Sequence, residues 1–497
     1  MTRNDVTLSI GVLCIAPFMS VLDLTLVNII LPHIAGGYGA TPSEATLVVT
    51  FFAVAQAIAM PLTGALAQRF GVVRTYLYCL AGFALASLLC GAAPSLAALI
   101  AARVLQGFAA GPVVPLAQAI LQRTLPPRHL AKGLAIFGTA MMSGPLIGPA
   151  LGGLLADSIG WRWGFFVNLP LAALCLALSA RLFRHQDSVP VRRPIDAVGL
   201  ALMVTWVAAT QVVLDKGREL EWFDSPLIVA LTIVALLGFV AFLIWELTER
   251  HPIVDLSVFR HRGFSVAATA TAVSYAIATA GSIMVYLWLQ TGLHYDATTA
   301  GYVAAATGSP GLLVGPLLAW LSTRLDPRLL ASFGLLMTAI AFMSRTQFVH
   351  DVDFFHILMP QFAIGIAAVF FWGPLMNLAM QHVPAEDVSA AAGLLTFTRT
   401  LALGVTVAVL MTLWDHQEKA EHARLAAAIT NPQAVGGPLG SFGMTAEQSN
   451  TALNLLVDQQ SAVLSLRHMF WVLSGVLLAS LVAIWFAPVK ERGGARA

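Results

Sequence analysis

The chain has 497 residues, of which 58% are hydrophobic and only 10% are charged, and its formal net charge is +2. Soluble domains carry about 25% charged residues, so this composition excludes a soluble globular protein and indicates a polytopic membrane protein. The small net charge gives no sign of a nucleic-acid partner, and none is expected. The four cysteines lie in apolar runs without a CxxC motif and are expected to be small buried hydrophobic residues: Cys14, Cys79, Cys90 and Cys175.

Fourteen apolar runs of at least 18 residues predict fourteen membrane-spanning helices and an all-α fold. The first run is longer than the core of a signal peptide and contains Asp23, so we expect it to be a retained helix. The predicted spans are 8–31, 45–67, 73–93, 96–121, 132–155, 163–183, 195–214, 226–247, 264–290, 299–321, 329–346, 354–380, 387–413 and 466–487.

The distribution of Lys and Arg predicts the orientation of these spans. Because the number of spans is even, both termini lie on one side of the membrane. That side carries eighteen Lys and Arg residues and the opposite side carries seven, while Arg103 and Arg399 lie inside spans. The positive-inside rule therefore predicts that both termini are cytoplasmic.

A weak internal repeat predicts the domain organisation. Residues 107–110 match residues 365–368 at an offset of 258, and Pro126 corresponds to Pro384 at the same offset. Counting outward gives six spans, two additional spans and six more spans, a duplicated plan common in secondary transporters. The predicted units are residues 1–185, two linker helices in 186–250, and 251–497. The last unit includes an outer loop, 415–465, that is either a docking or lid element or a tolerated insertion.

A glycine-rich run in the fifth span predicts a close helix contact. Gly144, Gly148 and Gly152 recur every four residues, so they lie on one helix face and allow a neighbouring backbone to approach closely. Pro145 and Pro149 interrupt the hydrogen-bond ladder and favour a bend. We interpret this run as a seam along which two helices rock.

Two opposite charges inside spans lie at similar predicted depths. Helical rise places Asp23 about 12 Å, and Arg103 about 10 Å, below the same membrane surface. Burial favours the neutral form of a carboxyl group and a nearby guanidinium favours the charged form. Asp23 is therefore a candidate to load and release a proton as its distance from Arg103 changes. The alternative is a static salt bridge that pins two helices.

Other polar residues inside or near the spans are weaker candidates. Arg399 lies near mid-depth, where it either meets Asp23, receives an anionic substrate or hydrogen-bonds carbonyl groups. Gln118 and Gln361 are lesser candidates because amides inside membranes more often connect helices. Acidic residues near span ends are expected to be solvated, and Met and aromatic residues are candidates for an apolar pocket. The acidic residues are Glu44 and Glu246. The Met and aromatic residues are Phe51, Phe52, Met141, Met142, Phe370, Phe371 and Trp372.

Several motifs in their order resemble the major facilitator superfamily, specifically its fourteen-span drug:proton antiporters of the EmrB/QacA type. These motifs lie at residues 22–28, 31–32, 61–64, 69–74, 103–107, 144–153, 161–170, 360–362, 397–402, 414–415 and 422–425. The resemblance implies a major facilitator fold, proton coupling through residues 103–107 and an antiporter motif at 144–153. It also implies a gating role for the loop after the second span, with residues Gly64, Arg69, Gly71 and Arg74.

The resemblance further implies export of diverse hydrophobic compounds from the bacterial inner membrane, driven by inward proton flow without a cofactor. For EmrB-like members it implies a periplasmic membrane-fusion adaptor and an outer-membrane channel as partners. Gln68 stands where the family usually has an acidic residue, and Glu421 where it often has His. The resemblance therefore does not extend to a conformational lock at position 68 or to an adaptor contact at position 421.

The leading hypothesis is a multidrug:proton antiporter. One alternative is a dedicated exporter of a fatty or aromatic acid in which Arg399 receives the anion. A more distant alternative is a membrane sensor or scaffold that transports nothing. ATP-driven transport has no support because the chain has no GxxxxGK[ST] motif. An enzyme is least expected because no nucleophile, base and metal-ligand set converges.

Overall fold

The computed structural model of the protein describes residues 3–183, 196–250, 252–291, 297–308, 310–322, 324–348, 352–381, 387–429 and 445–486, with positions 293, 295, 383 and 384. All regular structure within these residues is helical, so the predicted all-α class is confirmed for them. The first helices are α1 (Arg3–Tyr38), α2 (Pro42–Ala59), α3 (Thr63–Phe70), α4 (Val72–Ala92), α5 (Leu96–Ala110), α6 (Val113–Thr124), α7 (Pro127–Ser158), α8 (Trp163–Phe166) and α9 (Asn168–Phe183).

The second part of the chain continues the helical pattern. Its helices are α10 (Ala197–Lys216), α11 (Pro226–Thr248), α12 (Arg262–Thr291), α13 (Ala297–Gly308), α14 (Pro310–Leu321), α15 (Pro327–Arg345), α16 (Phe354–Met380), α17 (Val388–Ala428) and α18 (Ala446–Ile484). Two short 3-10 helices, Trp222–Asp224 and Leu256–Arg260, lie in connections.

These helices overlap each of the fourteen predicted spans, and several spans are broken into two helices. Among the described residues, eleven helices are long and apolar enough to cross a membrane. The count becomes twelve if Glu44–Ala59 and Thr63–Phe70, which meet at a bend of 58°, form one span. The number of fourteen spans therefore stays a prediction. So do the division into six, two and six spans and the domain boundaries at 185 and 250.

The helix that carries Arg103 begins at a side-chain cap. The hydroxyl of Ser95 accepts a hydrogen bond from the backbone N–H of Ala98 at 3.2 Å and so satisfies one free donor of the first turn of α5. At the start of α2, Thr41 and Glu44 form a reciprocal capping box. Because α2 packs on α5, these two caps help to fix the level at which Arg103 meets its neighbours.

The packing of the helices repeats along the chain. A Cβ atom on Gly107 of α5 would lie 2.3 Å from the carbonyl oxygen of Phe52, and a Cβ atom on Gly365 of α16 would lie 2.3 Å from that of Thr307. Both glycines of the sequence repeat therefore let a neighbouring helix backbone approach closely. The pair α4–α5 packs together, as does the pair α15–α16.

The two helices between the halves present apolar surface outward. Helix α11 packs against α10, and α10 also contacts α2 and α17. Much of the remaining apolar surface of α11 is exposed, including Leu236, Leu237, Ile244 and Leu247. An exposed continuous apolar helix surface fits contact with lipid chains rather than water.

The predicted outer loop 415–465 is largely helical. Helix α17 continues past position 413 to Ala428, and α18 begins at Ala446. These helices contain 41 and 39 residues, so each is roughly twice the length needed to cross a bilayer core of about 30 Å. The segment is helical over 415–428 and 446–465, residues 430–444 lie outside the described part of the chain, and the assignment of the segment to the outer side of the membrane stays a prediction. The polar run 417–428 continues the helix because its residues favour that conformation.

Candidate functional site

Asp23 and Arg103 form an ion pair inside the helical bundle. Arg103 Nη1 donates to Asp23 Oδ2 at 2.6 Å, and both side chains are fully buried. Asp23 lies on α1 and Arg103 lies on α5, so the pair joins two helices that are distant in sequence. The structure thus brings together the two charges that helical rise places at similar depth.

A ring of neutral polar groups surrounds the carboxylate of Asp23. Its Oδ1 accepts hydrogen bonds from Asn168 Nδ2 at 2.6 Å and from Gln106 Nε2 at 3.1 Å. Both amides also donate to Ser87 Oγ, at 3.2 and 3.3 Å. The Ser87 hydroxyl in turn donates to the carbonyl oxygen of Phe165 at 2.8 Å. The carboxylate is therefore held by charge-assisted hydrogen bonds from three side chains.

The guanidinium of Arg103 is also enclosed. It donates to Gln106 Oε1 at 2.8 Å and to the carbonyl oxygen of Val48 at 3.2 Å. Its central carbon lies 3.9 Å from the centre of the Phe52 ring, a distance suited to a cation–π interaction. No described residue accepts a hydrogen bond from Arg103 Nη2. Removing either partner of such a pair leaves a buried, uncompensated charge.

The predicted glycine seam joins α7 to α1. A Cβ atom on Gly144 would lie 2.7 Å from Val21 Cγ1, and one on Gly152 would lie 3.2 Å from the carbonyl oxygen of Leu26. The glycines that recur every four residues in this run of α7 therefore lie against α1, the helix that carries Asp23. The side chains of Pro145 and Pro149 lie outside the described part, and the bend they favour stays a prediction.

The predicted gating loop lies where α3 meets α4, and α3 touches the other half. Gly71 has φ +91° and separates the two helices, a conformation that glycine adopts without strain. A Cβ atom on Gly64 would lie 2.7 Å from the Cβ of Ala390 on α17. Arg69 and Arg74 are exposed. The gating role of these four residues stays a prediction.

A cavity of about 350 Å³ lies between the halves. It is lined by residues of α1, α7, α12, α13 and α16, including Val21, Met141, Tyr275, Tyr286, Phe371 and Trp372. Three of the residues considered for an apolar pocket, Met141, Phe371 and Trp372, line it. Asp23 does not line the cavity and is closed off from it in this conformation.

Arg399 lies behind the aromatic wall of this cavity. Its guanidinium carbon lies 4.3 Å from the ring centre of Trp372 and 4.7 Å from that of Tyr275, and its Nε has no hydrogen-bond partner among the described residues. In this conformation Asp23 pairs with Arg103 of its own half and not with Arg399. The face of an aromatic ring is negatively polarised, so these two rings attract the Arg399 guanidinium.

The two amide candidates have different partners. Gln118 Nε2 lies 2.9 Å from Met376 Sδ, a contact between α6 and α16 that connects the halves. Gln361 is fully buried, and its Oε1 accepts a hydrogen bond from Arg345 Nη2. Neither amide lines the cavity.

The sequence of the chain matches one family model along most of its length. The model described as Major Facilitator Superfamily matches residues 13–407. The chain belongs to the major facilitator superfamily.

Two curated relatives cover nearly the whole of this major facilitator protein. The fatty acid resistance protein FarB of Neisseria gonorrhoeae is 37% identical over 495 residues, which is 98% of this chain and 97% of FarB. The multidrug export protein EmrB of Escherichia coli strain K12 is 37% identical over 489 residues, which is 97% of this chain and 96% of EmrB. The resemblance to EmrB-like members of the superfamily is therefore confirmed.

Solved structures share the fold at low sequence identity. The proton:xylose symporter XylE aligns with a TM-score of 0.61 and 14% identity, over 98% of this chain and 97% of XylE. The human organic anion transporter MFSD10 aligns with a TM-score of 0.60 and 16% identity, over 96% of this chain and 100% of MFSD10. These similarities confirm the predicted major facilitator fold.

Sequence reasoning missed part of the polar interior of this major facilitator protein. Gln106 and Asn168, which bind the Asp23 carboxylate, lie in the motifs at 103–107 and 161–170. Their place in these motifs was the only feature of the sequence that pointed to a functional role. Arg345 is one of the seven Lys and Arg residues that the predicted orientation assigns to the outer side, yet its side chain is fully buried. Glu246 was expected to be solvated but is only 4% exposed, because the chain after α11 folds back and donates the Val254 N–H to it at 3.2 Å.

Proposed function

We propose that this protein exports hydrophobic and amphipathic organic compounds across the bacterial inner membrane in exchange for protons. The support for export is the 37% identity to proteins named for multidrug export and for fatty acid resistance. The cavity between the halves supplies a compartment lined mainly by apolar and aromatic side chains, which suits compounds of this kind.

Asp23 is the proposed proton-carrying group, and the observation that carries this proposal is its fully buried pair with Arg103. Ionisable groups inside membranes are expensive to maintain and usually mark proton or substrate pathways. Asp23 is sealed from the cavity in this conformation, while Val21 on the same helix lines it. Proton exchange therefore requires a second conformation in which the hydrogen bonds around Asp23 open.

Alternating access is proposed to occur by movement of the halves against each other. Gly64 touches Ala390, and Gln118 touches Met376, at one end of the bundle. If both termini are cytoplasmic, as the distribution of Lys and Arg predicts, this closed end faces the cytoplasm. The conformation then corresponds to a state closed toward the cytoplasm, and the glycine seam between α7 and α1 is the proposed sliding contact.

The adaptor and the outer-membrane channel remain proposed partners. The long helices α17 and α18 extend beyond the predicted membrane edges. His422 on α17 lies 3.1 Å from Asp458 on α18, so the extensions contact each other. Such a helical extension offers a docking surface for a periplasmic partner.

A second candidate function is the dedicated export of an amphipathic acid. Arg399 behind the cavity wall favours this function, because a buried cation attracts an anionic substrate. A panel of cationic and anionic compounds tested for resistance separates the two functions. A sensor or scaffold without transport is the third candidate, and it predicts no substrate-dependent proton movement.

The decisive experiment measures substrate-dependent proton flux in proteoliposomes that contain the native chain, Asp23→Asn or Asp415→Asn. Asp415 is a matched control because its partly exposed carboxylate also pairs with an arginine, Arg218. We expect native flux and Asp415→Asn flux to be similar and Asp23→Asn flux to be lost. If the Asp23→Asn variant shows the same proton flux as the native chain, Asp23 does not carry the proton. If the native chain shows no substrate-dependent proton flux, the protein is not a proton-coupled transporter of that substrate.

A further inference from the structure

Arg345, the last residue of α15, is a fully buried cation with unmet hydrogen-bonding capacity. Its Nη2 donates to Gln361 Oε1, while its Nε and Nη1 have no hydrogen-bond partner among the described residues. Within the same residues Gln361 Nε2 makes no hydrogen bond of normal geometry, although the phenol of Tyr286 lies near this amide. Among the described residues, no carboxylate lies within ion-pair distance of Arg345. Within the described part of the chain the site therefore presents three nitrogens without a hydrogen bond of normal geometry and a positive charge without a paired carboxylate.

The internal repeat places this site opposite the Asp23 site. At the offset of 258 residues that relates Gly107 to Gly365, Arg345 corresponds to Ser87 and Gln361 corresponds to Arg103. The second half thus has a guanidinium at the position of the Ser87 hydroxyl and an amide at the position of the Arg103 guanidinium.

The acidic member of the first site has no counterpart in the second. The residue that corresponds to Asp23 at the same offset is Gly281. A Cβ atom on Gly281 would lie 2.5 Å from Phe342 Cζ, so an aromatic ring occupies the space next to it. The second half therefore places a cation between these helices without a carboxylate at the position that corresponds to Asp23.

Tyr286 connects this site to the central cavity, and Thr307 lies beside its hydroxyl group. Both residues line the cavity, and their hydroxyl oxygens are 3.2 Å apart. The phenol of Tyr286 is also within interaction range of the Arg345 guanidinium and the Gln361 amide. A ligand in the cavity would reach Arg345 once the two hydroxyls separate.

Arg345 and Arg399 differ in how far their charges are compensated. Two aromatic rings lie 4.3 and 4.7 Å from the Arg399 guanidinium carbon, whereas the rings nearest Arg345 are those of Phe342 and Phe470, both at 5.3 Å. Cation–π attraction weakens with distance. Both residues also have a buried Nε without a partner among the described residues, and Arg345 has a buried Nη1 in the same condition. The Arg345 guanidinium is therefore the one less compensated by aromatic rings, and it can attract an anion.

We propose that Arg345 and Gln361 bind the carboxylate of an amphipathic organic acid whose apolar chain lies in the cavity. A guanidinium binds a carboxylate through paired, charge-assisted hydrogen bonds, and Gln361 Nε2 adds a donor when the Tyr286 hydroxyl moves away from it. The substrate thereby supplies the negative charge that the described residues around Arg345 do not provide. This inference rests on the proposed function, because it names a substrate class for the same cavity.

The test measures binding to the full-length protein in lipid nanodiscs by calorimetry, with empty nanodiscs subtracted. The probes are decanoate and decyltrimethylammonium, which carry the same chain length with opposite charges. We expect Arg345→Gln to weaken decanoate binding about tenfold or more, because charge-assisted hydrogen bonds are lost. Decyltrimethylammonium binding should not weaken. Arg345→Lys should retain part of the decanoate affinity, and Gln361→Leu should lower the decanoate affinity several-fold.

Control variants define the outcomes that overturn the inference. Arg424→Gln removes an exposed arginine and should leave both affinities unchanged. Unchanged decanoate binding in Arg345→Gln, equal weakening of both probes, or a selective loss in Arg399→Gln but not Arg345→Gln each overturns the inference. Failure of the proposed function is distinguishable, because it appears as absent proton flux in native proteoliposomes, whereas these affinities are measured without a gradient.

Discussion

Gly148 of α7 lies directly against Thr25 of α1: a Cβ atom on the glycine would lie 2.1 Å from the threonine hydroxyl oxygen. That hydroxyl also lies 3.3 Å from the carbonyl oxygen of Gly144, one turn earlier on α7. The separation of the two helices is therefore set by the absence of a side chain. Because α1 carries Asp23, any movement of α7 along this contact is transmitted to the helix that holds the buried carboxylate.

The Gly148→Ala substitution should destabilise the protein and impair transport. A methyl group at this position forces α1 and α7 apart, and overpacking of this kind costs about 1–3 kcal/mol. Gly153→Ala is the matched control on the same helix, because nothing lies within 4 Å of a Cβ atom there. Thermal unfolding in detergent and drug efflux in cells measure both effects. Equal behaviour of the two variants contradicts a role for close contact at Gly148.

The Asp23–Arg103 pair should show strong coupling in stability. Asp23→Leu leaves Arg103 buried without a counter-charge, which should cost about 3–5 kcal/mol, whereas replacing both residues with apolar ones is often close to neutral. We therefore expect the double variant Asp23→Leu/Arg103→Leu to recover most of the stability and none of the proton-coupled transport. Chemical unfolding of the four proteins gives the coupling energy. Simple additivity of the two single effects contradicts the expected coupling.

The ion pair between Arg218 and Asp415 should contribute much less to the free energy of unfolding than the buried pair of Asp23 and Arg103. Arg218 Nε lies 2.8 Å from Asp415 Oδ2, but the two side chains are 53% and 32% exposed. Pairs in contact with water contribute about 0–1 kcal/mol and weaken as salt rises. Asp415→Asn should therefore lower the free energy of unfolding by at most about 1 kcal/mol at low salt and less at high salt. A loss similar to that of Asp23→Leu contradicts this expectation.

Apolar run length predicted where the helices lie, and helical rise predicted which charges meet. Asp23 and Arg103 carry full charges well inside long apolar runs, so their depth follows from counting residues along each helix. The close contact of α1 with α7 was equally accessible, because Gly144, Gly148 and Gly152 share a helix face whatever the neighbour is.

Other features depend on tertiary packing that hydropathy does not report. Arg345 ends an apolar run, where a cation usually reaches water, and it is buried because α16 and α18 pack around the end of α15. Glu246 is similar, because the chain after α11 returns to cover it. Gln106 and Asn168 are neutral amides, so nothing in their charge identified them as ligands of the Asp23 carboxylate.

The contact between Gly64 and Ala390 offers a direct test of closure at one end of the bundle. A Cβ atom on Gly64 would lie 2.7 Å from the Cβ and 2.9 Å from the Cα of Ala390. Gly64→Ala should therefore hold α3 away from α17 and favour the conformation that is open at this end. Removing the opposing methyl group, in Gly64→Ala/Ala390→Gly, should restore part of the closure.

A reporter cysteine measures this shift in a protein whose four native cysteines are replaced. Met376 is only 4% exposed, so Met376→Cys should react slowly with a water-soluble thiol reagent while the end is closed. Gly64→Ala should raise the reaction rate about tenfold, which corresponds to a shift of about 1.4 kcal/mol in the conformational equilibrium. Gly11→Ala, where nothing lies within 4 Å of the added atom, should leave the rate unchanged. A Gly64→Ala rate equal to the native one, or no reversal by Ala390→Gly, would show that this contact does not control closure.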